Sequence, residues 1–162
     1  MNSDQPCPAP TRRLLALGLA CAAMPGAIPA ALATPAGPLV QVWKGPACGC
    51  CKDWVAHLEA NGFTVKAYDS GNTDARERLH MPIAYGSCHT ALVDGYALEG
   101  HVPAREIRRL LKERPAAIGL AVPAMPIGSP GMDGPAYGGR KDPYDVLIVA
   151  RDGGARVYQA YR

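Results

Sequence analysis

Three cysteines, Cys48, Cys50 and Cys51, crowd into four residues of the stretch "GPACGCCKDWVAHLEANGF". Cys48 and Cys51 form a C-x-x-C pair, the spacing of a dithiol that cycles through a disulfide. An apolar face of Trp54, Val55 and Leu58 begins directly behind them, so the motif sits at the start of a helix. There the unpaired N–H groups and the helix dipole favour thiolate over thiol. Thiolate is the attacking form in disulfide exchange and also the metal-binding form. Cys50 separates the two chemistries. A third thiol beside an attacking pair only offers competing disulfides, whereas a soft metal ion gains a ligand. Three thiolates at one helix start suit Cu(I), Zn(II) or an iron–sulfur centre.

A fourth cysteine lies in "GSCHTALVDG", where Cys88 and His89 open a β-branched, apolar run. Neighbours on a regular strand point to opposite faces, which counts against His89 as a direct ligand beside Cys88 and leaves it as a candidate secondary group. Zinc-binding cysteines usually come in pairs two to four residues apart, unlike C-x-C-C with a lone fourth cysteine. Crowded soft thiolates favour copper, with zinc as runner-up and iron–sulfur third. Met125 and Met132 offer thioethers, which also bind Cu(I), but they read first as gap-filling apolar side chains. Met81 reads the same way. His57 and His80 read as surface residues; His101, just before Pro103, is a candidate helix-capping or secondary metal-site group, though for it too the bland reading is preferred. Trp43 and Trp54 read as core packing. Gly49 and Gly45-Pro46 shape the cysteine loop.

These residues need elements to hold them. "LVQVW" (39–43) and "FTVKAY" (63–68) alternate as strands, with a helix over about 50–61 between them and Gly62 stopping it. "TDARERLHM" predicts a short polar helix ended by Pro82. "CHTALVDG" and "YALEG" predict two strands that turn at Gly95. Pro103 opens a helix with Ile107, Leu110 and Leu111 at core spacing. Residues 116–139, rich in Gly, Pro and Ala, read as one long loop. "YDVLIVAR" and "ARVYQAY" flank "DGG", a hairpin signal. The order β-α-β-α-β-β-α, with a C-terminal β-hairpin added, is an α/β layout of thioredoxin-like type, and that fold name is an analogy. In that layout the residue ahead of the third strand faces the helix-start motif, so Cys88 is expected to point at the other three sulfurs.

The chain has 162 residues, 48% of them hydrophobic, and a net charge of +3. That length suits one compact domain with a modest core. No basic stripe interleaves with aromatics, which argues against nucleic-acid binding. Arg12-Arg13, the apolar "LLALGLACAA" and the small-residue end Ala31-Leu32-Ala33 have the layout of an export signal. Pro25 and Pro29 interrupt the apolar run, which is short for a membrane anchor. Residues 1–33 are therefore read as an export signal peptide, 34–38 as a short linker and 39–162 as the domain. Of the six cysteines, Cys7 and Cys21 fall within the signal, leaving four in a disulfide-permissive space outside the cytoplasm.

"CGCC" after a strand, "GSCHTALVDGYALEGHVP" and "GLAVPAMPIGSPGMD", in that order, resemble the CopG-like family of exported copper-resistance proteins. The resemblance spans about Leu39 to Tyr161, with one departure, Ala124, where that pattern often has Gly. It implies a thioredoxin-like fold and a metal site of Cys48, Cys50, Cys51 and Cys88. It also implies binding of copper, as several Cu(I) ions in a sulfur-bridged cluster, and a periplasmic role in copper tolerance. Metal ions and other periplasmic copper-handling proteins are the expected partners, with no membrane contact after signal cleavage. On this reading the chain is a metal-binding protein with no catalytic residues. The alternative is a thiol–disulfide oxidoreductase using Cys48 and Cys51. A third reading is a scaffold in which Cys88 is disulfide-bonded to a motif cysteine.

Overall fold

The computed structural model describes residues 37–162. The expected export signal, 1–33, and the first linker residues, 34–36, lie outside the described residues. Strand β1 (Leu39–Lys44) leads through a tight loop into helix α1 (Gly49–Ala60) and returns as β2 (Thr64–Tyr68). Helix α2 (Thr73–Arg78) and a single 3₁₀ turn precede β3 (His89–Val93) and β4 (Tyr96–Glu99). Helix α3 (Ala104–Glu113), β5 (Ala117–Ala121), β6 (Tyr144–Ala150) and β7 (Ala155–Tyr161) complete the chain. The result is a mixed α/β fold with one seven-stranded sheet in the order β2-β1-β3-β4-β5-β6-β7. Strand β1 runs parallel to β2 and antiparallel to β3, and β4 runs parallel to β5. Strands β6 and β7 pair antiparallel.

Two apolar layers sandwich the sheet. Trp54 and Leu58 of α1 and Ile107 and Leu110 of α3 pack with Val40, Val42, Leu98, Leu120 and Ile148 in one core. Met81, with Leu79 and Tyr85, packs against Ala97, Ala121 and Val149. Met81 is thus a core residue. No helix among the described residues is long and apolar enough to cross a membrane.

The expected loop over 116–139 requires correction, because its first part is strand β5, in the middle of the sheet. Leu120 and Ala121 feed opposite apolar layers. A strand covered on both faces shows no alternation. Gly119 conceals it further, since a Cβ there would collide with the Ala97 backbone.

The rest of the segment packs onto the start of α1. Gly131 adopts φ +85°, and a Cβ there would lie 2.6 Å from the Cys50 carbonyl oxygen and 2.8 Å from the Trp54 amide nitrogen. Gly131→Ala is expected to lower stability by about 2 kcal/mol or more in urea unfolding, combining the left-handed penalty with backbone overlap. A change below about 0.5 kcal/mol would show that the segment does not bear on α1.

Candidate metal centre

The cysteine loop leaves the end of β1, and Cys48 occupies the N-cap of α1 with no side-chain cap. The first turn contains no acidic residue. The amide-rich helix start is therefore left to the sulfurs themselves. Cys51 lies on the buried face with Trp54 and Leu58, while Cys48 and Cys50 are half-buried.

Cys48 and Cys51 are joined as a disulfide, and Cys50 and Cys88 are free. This differs from the expected four thiolates and from a bridge to Cys88: in this form two of the four sulfurs are spent on each other. Cys50 Sγ lies 3.6 Å from Cys48 Sγ and 4.0 Å from Cys88 Sγ. All four sulfurs fall within 4.8 Å of one another. Cys51 Sγ also lies 3.7 Å from the Cys88 carbonyl oxygen, a contact only, since a bonded sulfur has no proton to donate.

Cys88 arrives opposite α1 because of a hairpin. Asp94 and Gly95 both take positive φ, +47° and +86°, the geometry of a two-residue turn matched to strand twist. The turn sets Thr90 against Glu99, and the Gly100 amide donates to the His89 carbonyl at 3.0 Å. One step further, the same register brings His101 to Cys88, with Nε2 3.1 Å from Sγ. His101 Nδ1 donates to the Pro130 carbonyl at 2.7 Å. A carbonyl can only accept, so Nδ1 carries the proton and Nε2 presents a lone pair to the sulfur.

His89 is also inside. Strand β3 begins at His89, so Cys88 precedes the regular pleat and the alternation argument does not separate them. Cys88 Sγ lies 3.3 Å from His89 Nδ1, and Trp54 packs on the imidazole at 4.3 Å between ring centroids. Its Nε2 is buried without a hydrogen-bond partner. Cys88, His89 and His101 thus form a second group of metal-capable side chains sharing one sulfur. Burial, then the neighbouring His101, pushes the His89 pKa down to about 3. Burial also lowers His101, partly offset by its bond to Pro130. Burial, and next the nearby Cys50, pushes the Cys88 thiol up to about 12.

The methionines divide. Met125, 47% exposed, places Sδ 4.0 Å from Cys50 Sγ. Met132 is turned to Tyr137, whose hydroxyl lies 3.2 Å from its Sδ, and the structure shows no contact between it and the cysteines. His57 is half-buried rather than surface-facing, and its Nε2 accepts the Ala104 amide at 3.1 Å, tying α1 to α3. His80 is exposed. Trp54 is fully buried and donates to the Val102 carbonyl, while Trp43 is half-buried and stacks on Tyr68.

The sequence reading passed over the pair that holds Cys88 in place. Glu99 is fully buried, and its Oε1 accepts from Arg76 Nε (3.0 Å) and Nη2 (2.7 Å) and from the Ser87 amide (2.7 Å). Its Oε2 accepts from the Thr90 hydroxyl at 2.6 Å. Arg76 Nη2 also donates to the Ser87 carbonyl at 2.9 Å. The peptide ahead of Cys88 is gripped on both sides. Arg76 lies in the short polar helix and Glu99 at the end of a strand, and only the hairpin register could have drawn Glu99 inward.

The fold and site define an α/β protein with a cysteine cluster where the first helix meets the third strand. Residues 85–132 match the family described as "Protein of unknown function, DUF411". That span holds Cys88, His89, His101, Met125 and Met132. Two solved structures are similar throughout the described chain. One, described as copper resistance protein CopG, form 2, is 45% identical with a TM-score of 0.71, covering 78% of this chain and 99% of that one. The other, form 1, is 47% identical with a TM-score of 0.70, covering 76% and 96%. No curated protein matches. The chain belongs to the CopG-like family.

Two predictions follow from the walls of the site. Glu99→Ala leaves Arg76 buried without its partner and is expected to cost about 3–5 kcal/mol in urea unfolding. A loss under about 1 kcal/mol would contradict the clamp. His89 should stay neutral well below its ordinary pKa. An unfolded chain then binds one proton more than the folded one between pH ~6.5 and about 3. Stability therefore falls as pH drops through that window, by up to about 1.4 kcal/mol per pH unit from this group. The His89 ring carbons should hold neutral-imidazole NMR shifts from pH 7 to pH 5, and titration midway between would contradict the burial.

Proposed function

We propose that this chain binds Cu(I) through Cys48, Cys50, Cys51 and Cys88 when the Cys48–Cys51 bond is reduced, serving copper tolerance in the periplasm after export by residues 1–33. The observation that carries the reading is the convergence of four sulfurs within 4.8 Å of one another from two separate segments. Membership of a family whose solved members are described as copper resistance proteins supports the choice of metal. The donor set fits: soft thiolates select Cu(I) over harder ions, and sulfurs this close can each bridge two ions. Zinc is the competing ion, since four thiolates also make a closed tetrahedral site. The order of β1 to β4 with α1 to α3 supports a thioredoxin-like assignment, with β5, β6 and β7 added on one side. Residues 39–162 act as the metal-binding domain on this reading.

A second reading rests on the bonded Cys48–Cys51 pair at the helix start. Two electrons and two protons convert it to the dithiol, as in a thiol–disulfide oxidoreductase. The bonded pair and binding through all four thiolates exclude each other, because Cys48 and Cys51 cannot ligate as thiolates while they are joined.

Anaerobic titration of the reduced chain with Cu(I) against a competing chelator, and with Zn(II) alongside, separates these readings. The expected outcome is two or more Cu(I) per chain in preference to zinc, falling by at least one ion in Cys50→Ser. One zinc per chain and no copper would indicate a structural zinc site. Insulin reduction lost in Cys48→Ser but kept in Cys50→Ser, without copper binding, would establish the oxidoreductase instead.

A further inference from the structure

Helix α3 starts without a cap of its own. Its N-cap residue is Pro103, whose side chain makes no capping hydrogen bond, so the first amides of the helix need an acceptor from elsewhere. For the Ala104 amide that acceptor is His57 Nε2, a side chain of α1, at 3.1 Å. About one turn earlier on α1, Trp54 Nε1 donates to the Val102 carbonyl at 2.9 Å. Two side chains of α1 therefore hold the backbone on either side of Pro103, one as donor and one as acceptor.

An indole keeps its proton, whereas an imidazole gains and loses one near neutral pH. A backbone amide can only donate, so His57 Nε2 carries a lone pair and Nδ1 the proton. A proton on Nε2 would set one N–H against another, and the bond exists only with the neutral ring. His57 is half-buried; burial lowers its pKa from the ordinary 6.5, and the charge of Asp133 opposes that shift. The charged groups on the elements around it are Asp53, one turn earlier on α1, Arg105, Glu106 and Arg108 on α3, and Asp133 on the segment after β5. Arg105 and Glu106 bond to each other at 2.9 Å, while Arg108 reaches the Asn61 carbonyl and lies over the Phe63 ring. Asp133 is exposed and pairs with no cation among the described residues. Its Oδ1 accepts the Gly131 amide at 3.1 Å.

We propose that His57 is a proton-operated latch between the two helices: the neutral ring holds the Ala104 amide and fixes the start of α3, and the protonated ring releases it and turns to the Asp133 carboxylate. The open form takes up its proton at the ordinary histidine value of 6.5, the closed form only at lower pH. The closed latch is therefore complete above that value and is lost as pH falls through the window below it. Ala104 lies three residues after His101, whose ring meets Cys88, so the latch governs how firmly that wall of the site is held. No metal takes part in it, and it stands or falls separately from the copper reading.

The test follows the full chain by NMR from about pH 8 to about pH 5, reading the His57 ring nitrogens together with the shift and hydrogen-exchange protection of the Ala104 amide. The expected result is a neutral ring protonated on Nδ1 at the alkaline end, a midpoint below 6.5, and an Ala104 shift that moves with that midpoint. His57→Gln offers a side-chain carbonyl that accepts the same bond without titrating, and should hold the Ala104 shift constant. Relative to that variant, Ala104 protection in the wild type should fall by up to about tenfold per pH unit between 6.5 and the midpoint, one proton being linked to opening. Asp133→Asn, which keeps an acceptor for the Gly131 amide, should lower the midpoint. A wild-type Ala104 amide that ignores the His57 titration overturns the latch, as does an equal fall in His57→Gln. A midpoint unmoved in Asp133→Asn overturns the exchange of partner.

Discussion

The buried grip of Glu99 and Arg76 on the Ser87 peptide is the constraint on which the site depends. Cys88 sits just ahead of β3, outside the ladder that fixes its successors. Without a second anchor, this residue would be free to drift from the cysteines of α1. The anchor consists of five hydrogen bonds: four converge on the Glu99 carboxylate and the fifth runs from Arg76 to the Ser87 carbonyl. An ion pair removed from water is weak evidence for stability, since desolvation offsets its attraction. Its value here is positional. The fully bonded arrangement permits one placement of the backbone, and that placement puts Cys88 Sγ 4.0 Å from Cys50 Sγ.

A second constraint comes from the hairpin. The two-residue turn at Asp94-Gly95 fixes which residue of β4 faces which residue of β3, and this single choice delivers both Glu99 and His101. The register that supplies the clamp therefore supplies the imidazole beside the sulfur. The segment around Gly131 completes the enclosure, with Pro130 setting the His101 tautomer and Gly131 lying against the first turn of α1.

Much of this was legible in the sequence, and the gaps have physical causes. The three-cysteine motif at a strand-to-helix junction was read from spacing and periodicity alone, and α1, α3 and most strands fall within a residue or two of expectation. Strand β5 was missed because a doubly covered strand loses its alternation and Gly119 mimics a loop. For His101 the sequence offers capping or a secondary place at the metal site and favours neither over a bland role, although "VDGY" already contains the register that pairs it with Cys88. The strand rule set His89 apart from Cys88, but that rule applies only once the pleat has begun. The Cys48–Cys51 bond is a redox state, and spacing makes it available without deciding whether it forms.

The sulfur cluster poses a problem of charge, and its three chemistries are solutions to that problem. Four thiolates this close would repel strongly in a partly buried site. The buried cations nearby in the fold are already committed, Lys44 to Asp69 and Arg76 to Glu99. The adjoining histidines are held neutral by burial. Compensation must come from elsewhere. Protons supply it in part, as the raised Cys88 pKa shows. A disulfide supplies it by removing two of the charges. Cu(I) would supply it one charge at a time, which is why a set of four thiolates would favour several such ions over one. Protonation, oxidation and the proposed metal binding would thus compete for the same sulfurs. A protein that fixes the sulfurs but leaves their charge unpaired is built to exchange one compensation for another.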